Sequence, residues 1–422
     1  MKLLIFTLLL SSFVYSQVKF DDYFLNKSLR FDYFHTGNKT HDTCSFDELK
    51  EEPYWGGNPK ELIDPFNVGA YKAVILDDST NKEIYTHTYS TLFHEWQTTD
   101  EANITSRTFS ETVIIPFPKK KVKVEIFGRD RKNNYMLKFV YNVDPKSYFI
   151  KTERNLEYPN FKVYYAGDPA TNVDIVILPE GYTKDEMDLF KKDCKKFADY
   201  LFKSDPYTQN KEKFNIWGVE APSLEAGTDI PAEHIWKKTI LNTSFYTFDL
   251  ERYCMTFDNK SVRDLAANAP YDQIYILVNS DKYGGGSIYN YYSCCIHSNK
   301  YEEYIFTHEF GHGFASLADE YYTSDVAYKD FYDLTVEPTD PNITTLVDFA
   351  SKWKNLVDKD TPIPTPDTKD YSNKVGAFEG GGYVDKGIYR PKQDCTMKSI
   401  IVNHFCPVCQ NAIQKMIDFY TE

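Results

Sequence analysis

From about residue 20 to 150, apolar and polar positions alternate with a period of two. In KVKVEIF, 121 to 127, Val122, Val124 and Ile126 alternate with Lys123 and Glu125, which puts one face of a strand in a core and the other in water. Similar runs occupy 70 to 77, 82 to 89, 107 to 116 and 135 to 143, and the turn-forming stretches DDSTN and RDRKNN lie between them. Short strands at this spacing predict a β-sandwich. No residue there suggests chemistry, so an accessory binding or packing role is expected. Residues 144 to 166 read as a connector.

Beyond it the pattern changes. VDIVILP, 173 to 179, is a continuous apolar run suited to a strand buried on both faces, and FNIWGVEAP (214 to 222) and QIYILVN (273 to 279) resemble it. Thr183 opens a helix with Glu186 completing a capping box, and Met187, Phe190, Cys194, Phe197 and Leu201 form one apolar stripe. These elements predict an α/β arrangement. SDKYGGGSIY, 280 to 289, is either a flexible turn or the flank of an edge strand able to pair with an extended peptide. The expected architecture is therefore multidomain, α+β to α/β: a β-sandwich over 17–150, then a second domain over 151–422.

Composition narrows the roles. The chain has 422 residues, and its 48 basic and 62 acidic residues leave a net charge of -14, which repels nucleic acid. No basic patch is larger than Lys119 to Lys121. Residues 1–16 read as a signal peptide: Lys2 is the positive start, Leu3 to Phe13 the apolar run, and a cut falls near Gln17. That run is too short to span a bilayer, and no later stretch is apolar for long enough, so the mature chain is expected to be exported without a membrane span. Export permits disulfides among the eight cysteines, and six N-x-S/T triplets, starting at Asn26, are glycosylation acceptors only in a host that uses them.

The chemistry concentrates in YIFTHEFGHGFASLADEYY, 304 to 322. His308 and His312, at i and i+4 on a helix, can converge on one cation, and Glu309 would lie beside the water that the cation activates. The plainer alternative is a polar patch on a helix. Catalytic zinc also needs a third protein ligand and an open position. A straight helix would carry a residue seven beyond His312 about 10 Å away, so the chain has to turn back. The turn is expected after His312, where Gly311 and Gly313 weaken the helix, and Asp319 is the favoured ligand with Glu320 as the alternative.

HEFGH with ADEY after it, YDQIYILVNSDKYGGG upstream, and GAFEGGGY, GIYRP, CTM and FCPVC downstream resemble the IgA-peptidase-type zinc metallopeptidases. The resemblance covers most of 166 to 422, and the N-terminal part is similar to the β-sandwich that often precedes the catalytic domain there. It implies a metzincin-like fold with His308, His312 and Asp319 as zinc ligands, Glu309 as the base and Met397 in a methionine turn. Ala315 and Ala318 depart from the commoner metzincin pattern, replacing its glycine and third histidine.

Tyr383 and Tyr389 are candidate donors to a developing oxyanion, with packing as the alternative. HFCPVC, 404 to 409, could form half of a structural zinc site with Cys395 and His404, although export favours a disulfide, with Cys294 and Cys295 as possible partners. The expected function is exported zinc-dependent hydrolysis of peptide bonds in an extracytoplasmic protein or glycoprotein. The alternatives are a non-catalytic metal-containing binding protein and a zinc amidase acting on cell-wall material. The natural substrate and the oligomeric state are not legible.

Overall fold

The computed structural model describes residues 18–322 and 331–422; the expected signal peptide, 1–16, lies outside them. A short helix α1 (Phe20–Tyr23) leads into β1 (Phe24–Gly37) and β2 (Asp42–Glu52). Then come β3 (Tyr71–Asp77), β4 (Glu83–Tyr89), α2 (Leu92–Trp96), β5 (Arg107–Pro118), β6 (Val122–Arg129), β7 (Tyr135–Val143) and β8 (Ile150–Lys151). They form two four-stranded sheets, ordered β5-β1-β2-β8 and β4-β3-β6-β7. Leu29, Phe31, Val113 and Ile115 of the first sheet share one core with Ala73, Ile75, Val124 and Ile126 of the second. The strict alternation in β6 follows from this, because its other face meets solvent.

The central strand β1 behaves differently. Leu29 to Tyr33 are all buried, including Arg30 and Asp32, because the face away from the sheet core is covered by the second half of the chain. Arg30 Nη2 lies 2.7 Å from Asp32 Oδ2, and Arg30 Nη1 and Lys50 Nζ each lie 2.6 Å from Asp264 Oδ1. Charges survive there because each has a partner.

The second half begins inside the stretch read as a connector. β9 (Asn160–Tyr165) is no linker: it pairs antiparallel with β11 (Phe214–Val219) as a sheet edge. The remaining elements are β10 (Val173–Glu180), α3 (Met187–Leu201), α4 (Asn259–Ala266), β12 (Gln273–Val278), β13 (Gly285–Ile288), β14 (Tyr292–Ile296) and α5 (Glu302–Ala315). A hairpin of β15 (Phe378–Gly381) and β16 (Val384–Arg390) and a final helix α6 (Pro407–Thr421) close the chain. The six-stranded sheet runs β13-β14-β12-β10-β11-β9, parallel inside and antiparallel at both edges. Its inner strands β10, β11 and β12 are buried along their whole length, which explains their unbroken apolar runs.

The Glu186 carboxylate accepts the Thr183 N–H at 2.9 Å, and one 3₁₀ turn precedes α3. Phe190, Cys194, Phe197 and Leu201 of its stripe are buried. Phe197 meets Phe306 of α5 (ring centroids 5.1 Å apart), and Phe314 at the other end of α5 stacks on Tyr420 of α6. α5 is thereby held between two helices and the sheet. The result is a mixed α/β, multidomain fold with an N-terminal domain; among the described residues no helix is long and apolar enough to cross a membrane.

Candidate metal centre

On α5, Ile305, Phe306, Phe310 and Phe314 are buried, while His308, Glu309 and His312 line a cleft of about 950 Å³. The two imidazoles stand one turn apart, with centroids separated by 4.7 Å. His308 Nδ1–H donates to the Thr396 carbonyl at 2.9 Å, and His312 Nδ1–H to the Leu317 carbonyl at 2.5 Å. These bonds fix the tautomer, and both Nε2 lone pairs turn toward one point, 3.1 Å from each other.

The helix ends directly after this pair. Ser316 adopts the left-handed conformation (φ 51°, ψ 35°), and the Leu317 N–H reaches back to the Gly311 carbonyl at 3.3 Å. Asn342 then holds Ala318 from both sides, accepting its N–H at 2.7 Å and donating to its carbonyl at 2.8 Å. The return brings Asp319 Oδ1 to 3.1 Å from His308 Nε2 and 3.4 Å from His312 Nε2. The turn comes after His312, at Ser316, while Gly311 and Gly313 lie inside α5. Those glycines serve close packing: a Cβ on Gly311 would meet Met397 Sδ at 2.9 Å, and one on Gly313 would meet Ser287 Oγ at 2.6 Å.

Three donor atoms around a tetrahedral zinc ion, each about 2.05 Å from it, stand about 3.3 Å apart. The edges of this triangle are 3.1, 3.1 and 3.4 Å. Asp319 Oδ1 is also buried without a hydrogen-bond partner, while Oδ2 accepts the Tyr383 hydroxyl at 2.7 Å. Residues and spacing both suit a divalent cation. Among the protein groups alone, burial pulls the His312 imidazole down, but Asp319 and Glu309 outweigh this and carry its pKa up to about 9. Burial raises Asp319 as well, yet His312 and His308 hold it well below the usual carboxylate range. Burial pushes the Glu309 carboxyl up against the pull of the two imidazoles.

The other residues singled out in the sequence separate into those near the site and those outside it. Met397 is fully buried beneath Gly311. Tyr383 lines the cleft, whereas Tyr389 is taken into a backbone bridge with Thr344 on β16 and lies outside the cleft lining. Glu320 does not join the histidines; it lies with Cys395, Cys406 and Cys409. His404 is exposed and outside that group, and Cys294 faces Cys254 rather than the C-terminal cysteines, because β14 lies within the sheet. Of the three glycines, Gly285 and Gly286 belong to the edge strand β13, which lines the cleft. Gly285 is bonded outward to Arg252 and Cys254 at 3.1 and 3.2 Å.

Sequence reasoning missed Tyr321 and Arg252, which line the cleft and meet at 3.3 Å. Tyr321 had one signal, its place two residues after Asp319; Arg252 had none. It also missed the contribution of the N-terminal part, whose His94 on α2 and Arg129 on β6 line the same cleft.

A family model described as IgA Peptidase M64 matches residues 161–372 and 367–417, and one described as Peptidase M64 N-terminus matches residues 19–140. A search of curated proteins finds no match.

Proposed function

Because this chain belongs to the IgA Peptidase M64 family, a family of metallopeptidases, we propose that it is an exported zinc endopeptidase acting on an extracytoplasmic protein or glycoprotein. The observation that carries the reading is the triangle of His308 Nε2, His312 Nε2 and Asp319 Oδ1, with Glu309 beside it in an open cleft. When bound, zinc supplies a positive charge that polarises a peptide carbonyl and acidifies water.

The remaining work falls to side chains of this chain. The carbonyls of Thr396 and Leu317 hold the imidazoles in the ligating tautomer. Tyr383 occupies Asp319 Oδ2 and so leaves Oδ1 to the ion. Glu309, lining the cleft beside the triangle, would accept a proton at its carboxylate from the attacking water and return it to the leaving amine. An extended substrate would lie along Gly286 to Ile288, with the N-terminal part lining the same cleft. That gives the domain of residues 17–150 a part in substrate contact beside a catalytic domain of residues 151–422. Met397 packed under α5 supports a metzincin-like arrangement.

The test is cleavage of a mixed peptide library by wild type and Glu309→Gln. The variant is expected to keep its zinc and lose at least about 10²-fold in kcat. A chelator should silence wild type, and added zinc should restore it. Cleavage by Glu309→Gln at the wild-type rate would refute the reading.

A further inference from the structure

A second buried group of ligating side chains lies on the far side of the Asp319 turn. Cys395 precedes Met397 by two residues, Cys406 caps the N-terminus of α6, Cys409 lies in the first turn of α6, and Glu320 follows Asp319. All four residues are essentially inaccessible to solvent. Cys409 Sγ stands 3.5 Å from Cys406 Sγ, 3.8 Å from Cys395 Sγ and 3.3 Å from Glu320 Oε1, and the four donor atoms all fall within 4.8 Å of one another.

These spacings are those of a coordination shell. Zinc–sulfur bonds of about 2.3 Å place tetrahedral thiolates about 3.8 Å apart, and a carboxylate oxygen about 3.5 Å from each sulfur. A disulfide would need its sulfurs at about 2.05 Å. The surroundings also suit anionic ligands. The Cys406 N–H donates to Cys395 Sγ at 3.2 Å, and Asn342 Nδ2 donates to Glu320 Oε1 at 3.0 Å. Glu320 Oε2 is buried with no hydrogen-bond partner. Three thiolates and a carboxylate outweigh a divalent ion by two negative charges, and the buried guanidinium of Arg390 and the Lys398 ammonium act on Glu320 from nearby.

We propose that Glu320, Cys395, Cys406 and Cys409 bind a second, structural zinc ion, four-coordinate and closed to substrate. With four protein ligands and no cleft, it has no position for a reacting group. Its role follows from what the ligands are attached to. Glu320 fixes the turn that carries Asp319, and its N–H donates to the Met397 carbonyl at 2.8 Å. Cys395 fixes the loop whose Thr396 carbonyl orients His308. Cys406 and Cys409 anchor both to α6. The ion thus ties three separate segments together behind the first centre.

The experiment counts metal in the full chain purified without reductant, by elemental mass spectrometry, in wild type, His308→Ala and Cys406→Ser. Two ions are expected in wild type and one in each variant, matching the two ligand groups. Cobalt substituted into His308→Ala should give a thiolate-to-cobalt charge-transfer band; that readout needs no cysteine variant to fold and no peptidase activity. A single ion in wild type with none in His308→Ala would overturn the proposal, as would a disulfide joining two of these cysteines in peptide maps. One ion in wild type that Cys406→Ser loses and His308→Ala keeps would uphold it, while refuting the peptidase centre instead.

Discussion

Tyr383 illustrates how much a single hydroxyl does at the centre. Its 2.7 Å bond to Asp319 Oδ2 decides which carboxylate oxygen faces the histidines. Tyr383→Phe is therefore expected to weaken zinc affinity by about 10- to 100-fold, as losses of outer hydrogen bonds to metal ligands do, while Glu309 and both imidazoles stay in place. Competition with a fluorescent chelator measures this, and unchanged affinity would remove Tyr383 from the account. Away from the centre, His35 is buried and lies 3.1 Å from Glu111 and 2.8 Å from Asp42. Burial lowers its pKa, but the two carboxylates prevail and hold it well above 6.5. A pKa raised by folding stabilises fully below the unfolded value of about 6.5, and that stability is lost as pH rises through the folded value. Thermal melts should thus show stability falling from neutral toward alkaline pH, with His35→Gln flattening the slope.

The histidine pair was legible because its geometry is local: ligands at i and i+4 converge whatever the rest of the chain does. Sequence favoured Asp319 but left Glu320 open, since adjacent side chains differ only by the direction the backbone gives them after the turn. That direction depends on Asn342 and on the loop of Met397, both remote in sequence.

At the scale of the element, α5 shows why Gly311 and Gly313, read as weakening the helix, lie inside it. A glycine weakens a helix by about 1 kcal/mol, but packing against neighbours can require one. At Gly311 an added Cβ would stand 2.9 Å from Met397 Sδ, 3.1 Å from Phe405 and 3.3 Å from Leu317. Gly311→Ala should therefore destabilise by about 1–3 kcal/mol despite its better helix propensity, read from the denaturant midpoint. Ser316 is the converse case. Its left-handed backbone disfavours a side chain, so Ser316→Gly should raise stability by up to about 1 kcal/mol without loss of metal. A loss would mean that the serine, rather than the turn, matters.

Across the whole molecule, the alternation of β6 was readable because water covers one of its faces, while β1 stayed unresolved because a second domain covers what solvent would otherwise meet. The same contact makes the halves interdependent. Phe93, Trp96 and Phe109 of the N-terminal part belong to one apolar cluster with the six-stranded sheet, and Arg30 and Lys50 reach across to Asp264. Asp264→Ala leaves Lys50 and part of Arg30 buried without their partner and should cost about 3 kcal/mol. Both halves should then unfold together in calorimetry; two separate transitions in wild type would refute the coupling.

The account depends on a cation at the meeting point of His308, His312 and Asp319. Anomalous X-ray scattering at the zinc absorption edge, from crystals of the zinc-loaded chain, tests it most directly. The expected result is a peak about 2 Å from both Nε2 atoms and from Asp319 Oδ1. A peak elsewhere with that triangle bare, or imidazoles turned apart, would contradict it.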